Sequence, residues 1–137
     1  MIVIDASAIV GIMAEENDSE ALAARLNALP TGPGCRYAST VTLWEAASAL
    51  ARIWNIDRQQ SFDEITEFAV TAGIDPIAPD MAITALAVEA SERYGLGGGR
   101  PGVLNMGDCF SYATARHLKA RLLFKGEDFS RTDIEPA

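Results

Sequence analysis

Four carboxylates in this sequence stand where apolar runs end or where the neighbouring helices begin: Asp5, Glu45, Asp108 and Asp128. Asp5 ends the apolar run 1–4. Glu45 lies one turn into the helix that follows a second strand, Asp108 opens the helix before a fourth strand, and Asp128 lies just beyond that strand. If the strands run parallel, their carboxyl ends line one crevice, and all four acids can point into it. Oxygen-rich clusters of this kind suit Mg²⁺ or Mn²⁺, because hard cations prefer carboxylate and water ligands and offset the repulsion that opposes gathering the acids. Such an ion makes bound water a better nucleophile and neutralises charge growing on a transferring phosphate, so the chemistry expected is cutting of a phosphodiester bond. Ser7 and Thr132 are candidate supporting hydroxyls.

Each acid also has a purely local role open to it. Asp5 can cap the helical turn that follows, although a polar residue directly after an apolar strand favours a site. Thr42-x-x-Glu45 reads as a capping box, and Asn105-x-x-Asp108 is its counterpart with Asn as the cap. Spacing alone leaves both residues open between cap and site. Around Glu45, the neighbours at helical spacing are Val41, Thr42, Ser48 and Ala49, small residues that leave room over the carboxylate. Asp128, within Gly126-Glu127-Asp128-Phe129, can equally be a turn acid beside an anchored Phe129. The glycine-rich stretch 95–102 lacks the Gly-Lys-Ser/Thr ending of a phosphate loop and follows a helix instead of a strand, which excludes an ATPase. It is expected to be a mobile loop over the crevice or a partner, or an RNA-contacting flap. His117 is too isolated for a general base, and Trp44, Trp54, Phe62 and Phe68 fall at near-helical positions expected in the core or a subunit interface rather than in a base-stacking platform.

The elements that must position these residues follow from hydrophobic period and turn signals. Residues 1–4 form a buried strand, and Ser7 is expected to cap the helical turn after it. A helix over 18–29 ends at Pro30, Gly32, Pro33 and Gly34, and a short strand over 35–38 follows. From Thr42, the residues Leu43, Ala46, Ala47, Leu50 and Trp54 share a helical face, and Phe62, Ile65 and Ala69 continue the pattern in the next helix until Gly73 stops it. The segment 74–77 reads as an edge or terminal strand because of Pro76, and Asp80 opens a long helix to about Tyr94. A helix over 108–118, a strand over 121–124 and an edge strand or tail complete the chain. Strands alternating with helices imply an α/β fold of one domain spanning 1–137, a mostly parallel sheet covered on both faces.

Composition narrows the setting. A chain of 137 residues with 49% hydrophobic content can bury one real core. No long apolar run suggests a membrane span, and Asp5 comes too early for a signal peptide, so a cytoplasmic location is expected. Cys35 and Cys109 are read as small buried apolar residues rather than a disulfide or a zinc site. The net charge of -8 is uneven: residues 1–80 hold twelve acids and four bases, residues 81–137 seven of each. A polyanion should therefore approach through Arg93, Arg100, Arg116, Lys119, Arg121, Lys125 and Arg131.

Four motifs in this order resemble the PIN-domain ribonucleases, specifically the VapC toxins of bacterial type II toxin–antitoxin systems. They are Met1-Ile2-Val3-Ile4-Asp5-Ala6-Ser7-Ala8-Ile9, Thr42-Leu43-Trp44-Glu45, the run from Leu104 through Asn105, Met106, Gly107 and Asp108 to Ala113, and the run from Leu122 to Asp128 and Phe129. Met106 stands where related sequences often have an aromatic residue. The resemblance implies a small α/β/α sandwich and an Mg²⁺- or Mn²⁺-dependent endoribonuclease that forms a homodimer and is held inactive by a VapB-like antitoxin. It further implies Asp5 and Asp108 as ligands of the ion, Glu45 as a ligand or the orienter of its water, and Asp128 as the acid that completes the ring. Two other readings compete: a phosphoacceptor receiver-like domain with Lys125 as its lysine, and a noncatalytic module whose acids bind a basic peptide. A homodimer is also expected because the aromatic and Ala-rich helical faces exceed what a lone domain readily covers.

Overall fold

The computed structural model describes residues 1–97 and 102–137, so much of the loop expected over 95–102, with its flap reading, lies outside the described residues. Four strands, β1 (Ile2–Ile4), β2 (Arg36–Ser39), β3 (Ile74–Ile77) and β4 (Arg121–Leu123), form one sheet in the order β3-β2-β1-β4. Every pairing is parallel. Among the described residues six helices cover it: α1 (Ala6–Met13), α2 (Ser19–Ala28), α3 (Thr40–Trp54), α4 (Arg58–Ala72), α5 (Met81–Tyr94) and α6 (Met106–Leu118). A 3-10 turn at Phe129–Arg131 follows β4.

The three-residue strand β1 serves both faces, because successive side chains point opposite ways. Ile2 and Ile4 join a core with Ile9 of α1, Leu26 of α2, Leu43 and Leu50 of α3 and Ile65 of α4. Val3 joins a second core with Ile83 and Ala87 of α5 and Tyr112 and Ala113 of α6. The result is the expected α/β/α sandwich, with the central strand β1 purely apolar, as a strand buried on both faces requires. Pro76 is tolerated because β3 is an edge strand, paired with β2 alone. The opposite edge is met by the C-terminal residues: Leu122 donates to the carbonyl of Glu135 and accepts from the amide of Ala137.

Several local expectations are corrected. Asp5, not Ser7, caps α1. Helix α3 starts at Thr40 under a Ser39 cap, whose Oγ accepts from the amide of Val41 at 3.2 Å. Thr42 is thus inside the helix, fully buried, with Oγ1 2.9 Å from Ser111 Oγ, and the Thr42–Glu45 capping box does not form. The Asn105–Asp108 box does form, so α6 starts before Asp108. Cys109 is buried but Cys35 is only half-buried. Trp54 and Phe68 pack against the first core, whereas Trp44 and Phe62 are exposed.

Arg36, at the start of β2, is 2% exposed. Its guanidinium donates to the carbonyl oxygens of Leu26, Leu29, Pro30 and Ala72 at 2.7 to 3.0 Å. Leu26 and Ala72 lie in the last turns of α2 and α4, where unpaired carbonyls concentrate negative partial charge, so one planar cation ties two helix ends to the sheet. Arg36→Met keeps a similar stem and strips all four acceptors of their donor. Urea melts should show a loss of about 3 kcal/mol or more; a loss below about 1 kcal/mol would contradict this tethering role.

Candidate metal centre

The chain leaves β1 toward β2 and β3 on one side, and β4 adds on the other, so the direction of winding switches at β1. At such a switch the loops beyond the strand carboxyl ends diverge and leave a crevice. Asp5 sits there. Its amide donates to the carbonyl of Leu123 at 2.9 Å, fixing the residue to the end of β4. Its Oδ2 accepts from the Ser7 amide at 2.9 Å and from Ser7 Oγ at 2.6 Å. Ser7 Oγ in turn accepts from the Lys125 amide at 3.0 Å, so one hydroxyl links α1 to the residue after β4. The side chain of Asp5 is buried, and its other oxygen, Oδ1, has no hydrogen-bond partner among the described residues.

Glu45 approaches from α3. Its Oε1 accepts from Asn105 Nδ2 at 3.4 Å, while Oε2 is buried without a hydrogen-bond partner among the described residues. The carboxylate lies flat against the first turn of α6: a Cβ built on Gly107 would fall 1.8 Å from Oε2. Only glycine leaves that space, which is a steric requirement and not a conformational one. Burial, then the charge of Asp5, raise the Glu45 pKa against the lowering effect of the Asn105 amide.

Asp108 holds the third helical position of α6. Its Oδ2 accepts from the Asn105 amide at 3.0 Å, and its own amide donates to Asn105 Oδ1 at 2.8 Å. This reciprocal cap aims a carboxylate at the crevice and favours its charged form. Burial outweighs it, and with the charges of Asp5, Glu45 and Asp128 pushes the pKa up to about 7. Asp128 is exposed at the start of the 3-10 turn, with no capping bond from its side chain, and reaches the others through this electrostatic contact with Asp108.

The structure therefore brings Asp5, Glu45 and Asp108 into one electrostatically coupled group, with Asp128 at its margin. Thr132 does not join them, because its Oγ1 donates to Phe129 O and accepts from the Ile134 amide within its own turn. His117 lies nine residues along α6 from Asp108, about 13 Å along the axis. Two contributors had little signal in sequence. Asn105 was visible as a cap but not as the donor to Glu45, and nothing local marks Gly107 as the surface on which Glu45 rests. Among the described residues, no three His, Cys, Asp or Glu side chains stand as a finished coordination shell. The donor set nevertheless fits a hard cation: the oxygens are carboxylates, and two of them are buried with no hydrogen bond to replace hydration.

The raised pKa of Asp108 fixes a sign. Its folded value of about 7 lies above its ordinary 3.8, so between those values the folded protein binds the proton more tightly than the unfolded chain. The stabilisation is complete below the lower value and is lost as pH rises through the upper one. In EDTA, the parent protein should therefore lose melting temperature between pH 5 and 8 more steeply than Asp108→Asn, and the variant should be the more stable at pH 8. Parallel curves would contradict the coupling of these acids.

The PIN domain family model matches residues 2–135 of the chain. A VapC ribonuclease of Rhizobium meliloti is 35% identical, with 96% of this chain and 97% of that protein covered. The crystal structure of VapC20 of Mycobacterium tuberculosis, a toxin that cleaves the sarcin–ricin loop, superposes with a TM-score of 0.76 at 15% identity, covering 100% of this chain and 98% of that one. A toxin–antitoxin complex from Klebsiella pneumoniae has a chain matching with a TM-score of 0.68 at 16% identity over 97% of this chain and 93% of that one. These two structures speak for the fold; the family model and the Rhizobium relative, each matched over nearly the whole chain, carry the assignment. The chain belongs to the PIN-domain family and, within it, to the VapC toxins.

Proposed function

We propose that this protein is a divalent-metal-dependent endoribonuclease, the toxin of a type II toxin–antitoxin pair. The observation that carries the reading is the coupled acid group at the switch point, where Asp5 Oδ1 and Glu45 Oε2 are buried without partners beside Asp108. In this reading Asp5, Glu45, Asp108 and Asp128 hold Mg²⁺ or Mn²⁺. When bound, the ion supplies an activated water and offsets charge on the phosphodiester under attack. The chain does the positioning. Ser7 locks one oxygen of Asp5 and leaves the other facing the crevice. Asn105 sets two acids at once, Asp108 through the cap and Glu45 through its amide. To hold a cation Asp108 would have to give up the proton that its raised pKa keeps near neutrality, so cation binding would release it.

Protein partners are supported by apolar surface. Phe62 and Val70 on α4 and Met81 and Val88 on α5 are exposed, more than scattered single residues would leave on a small domain. A homodimer and a VapB-like antitoxin are the occupants proposed. Among the described residues no helix is long and apolar enough to cross a membrane, which is in keeping with a cytoplasmic protein. The receiver-like alternative is disfavoured because the ammonium of Lys125, its needed lysine, is paired with Glu16 and, at 3.0 Å, Asp18. The purely peptide-binding alternative gives no reason for burying partnerless carboxylates.

Incubation of purified protein with RNA and millimolar Mg²⁺ or Mn²⁺ should give internal cleavage that EDTA abolishes. Asp5→Asn should lower the rate by on the order of a hundredfold or more, since even outer-shell changes at metal sites cost roughly ten- to a hundredfold. Gly107→Ala should keep the melting temperature yet lose about tenfold or more, because its methyl group must displace the Glu45 carboxylate. Expression without a partner should arrest growth in the parent and not in Asp5→Asn. Cleavage that survives both EDTA and Asp5→Asn would overturn the proposal.

A further inference from the structure

Beside the acids lies a small hollow that the nuclease reading has not used. It has a volume of about 190 Å³ and is lined by Val41, Trp44, Glu45, Asn105, Met106 and Gly107. Val41, Trp44 and Glu45 are spaced to share one face of α3, and Met106 opens α6 directly above them. Trp44 is 63% exposed and Met106 is 65% exposed, so a large aromatic ring and a thioether flank Glu45 with their faces in water. Their placement is not explained by packing, since Leu43, Ala46, Ala47 and Leu50 supply the part of α3 that enters the core. The hollow is lined almost wholly by apolar surface, and its small polar part is where the Glu45 carboxylate meets the Asn105 amide.

We infer that this hollow is a nucleobase subsite, in which the base of a nucleotide flanking the cut stacks on Trp44 and is held from the other side by Met106. The inference rests on the proposed ribonuclease function and adds to it the residue that grips the substrate. Three features select a base over other occupants. The hollow shares Glu45 and Asn105 with the acid group, so an RNA phosphate at the acids carries a neighbouring base to its mouth. Its walls match a flat apolar face, and the small polar part of its lining, at Glu45 and Asn105, can meet the polar edge that every base has. A base is also neutral, so, unlike a phosphate, it needs no cation in order to enter beside the Glu45 carboxylate. Stacking on an indole tolerates any base, so Trp44 supplies affinity while choice among bases falls to Asn105 and Glu45. The other side of Trp44 borders a larger apolar groove between α3 and α4 that includes Phe62 and Val70. A protein partner in contact with the ring is therefore the competing outcome.

The test uses full-length protein and a single-stranded RNA oligonucleotide whose cut position has first been mapped with the parent protein. Trp44→Ala should raise KM by roughly tenfold or more, the effect of losing one stacked base, with a much smaller change in kcat. Trp44→Phe should recover most of the loss. In parallel, abasic residues are placed one at a time beside the cut. One abasic position should weaken cleavage by the parent to the same extent, and should cost Trp44→Ala nothing further. That arm reads the parent protein and does not depend on how well the variant folds. If the parent cuts RNA but Trp44→Ala matches its KM and no abasic position matters, the subsite is wrong and the nuclease reading stands. If Trp44→Ala leaves KM intact and converts a dimer to a monomer, the ring is a protein contact and the inference is overturned. A parent protein that cuts no RNA with either metal overturns the nuclease reading and the subsite together.

Discussion

Carboxylates that share a crevice repel one another, and each that is buried also forfeits its hydration. The arrangement around Asp5, Glu45 and Asp108 makes sense as the means of holding them there against both costs. Asp5 is pinned by its backbone to β4 and by its side chain to Ser7, so it cannot swing out to water. Glu45 is supported from below by Gly107, and Asp108 is fixed by a reciprocal cap. The lost hydration, and behind it the repulsion that remains, show in the upward shifts of Glu45 and Asp108. Stability is given up locally and recovered in two cores and in tethers such as Arg36, a distribution usual for sites whose ligand arrives later.

Much of this was legible in the residues. An acid directly after an apolar strand is conspicuous, and parallel-sheet topology then sends Asp5 and the residues after β4 to the same end. The Asn105–Asp108 box is a local pattern with local energetics, and it formed as spaced. The Thr42–Glu45 box obeyed the same rule and did not form. Ser39 precedes it by three residues, and tertiary contacts decide between the two hydroxyls: β2 continues to Ser39, and Thr42 is taken into the interior against Ser111. A capping pattern cannot see where the preceding strand ends. Trp44 was hidden for a related reason. It adjoins Leu43 in sequence and shares the near-helical spacing of the aromatic set, but the core needs only one stripe of α3, and Trp44 falls just outside it beside Glu45. Gly107 had no signal because its constraint comes from a side chain 62 positions away.

The charge distribution fits a site that must be loaded before it can attract RNA. A net charge of -8 repels a polyanion at long range, and Lys125, the base nearest the strand ends, is already engaged by Glu16 and Asp18. A bound cation reverses the local sign at the acids, and an uncharged stacking surface beside them adds affinity that does not depend on net charge. On the proposed function, metal, phosphate and base would be held by neighbouring groups at α1, α3 and α6.

The central claim is that the repulsion among these partly buried acids is relieved by a divalent cation, and calorimetric titration of metal-free protein with Mn²⁺ tests it most directly. Performed near pH 6.5 in buffers of different ionisation enthalpy, it reports both binding and the protons released. The account predicts saturable binding with proton release, because Asp108 carries its proton over much of this range and must lose it to the ion. Asp108→Asn should bind more weakly and release correspondingly less. Absence of binding, or undiminished binding and proton release in Asp108→Asn, would contradict it.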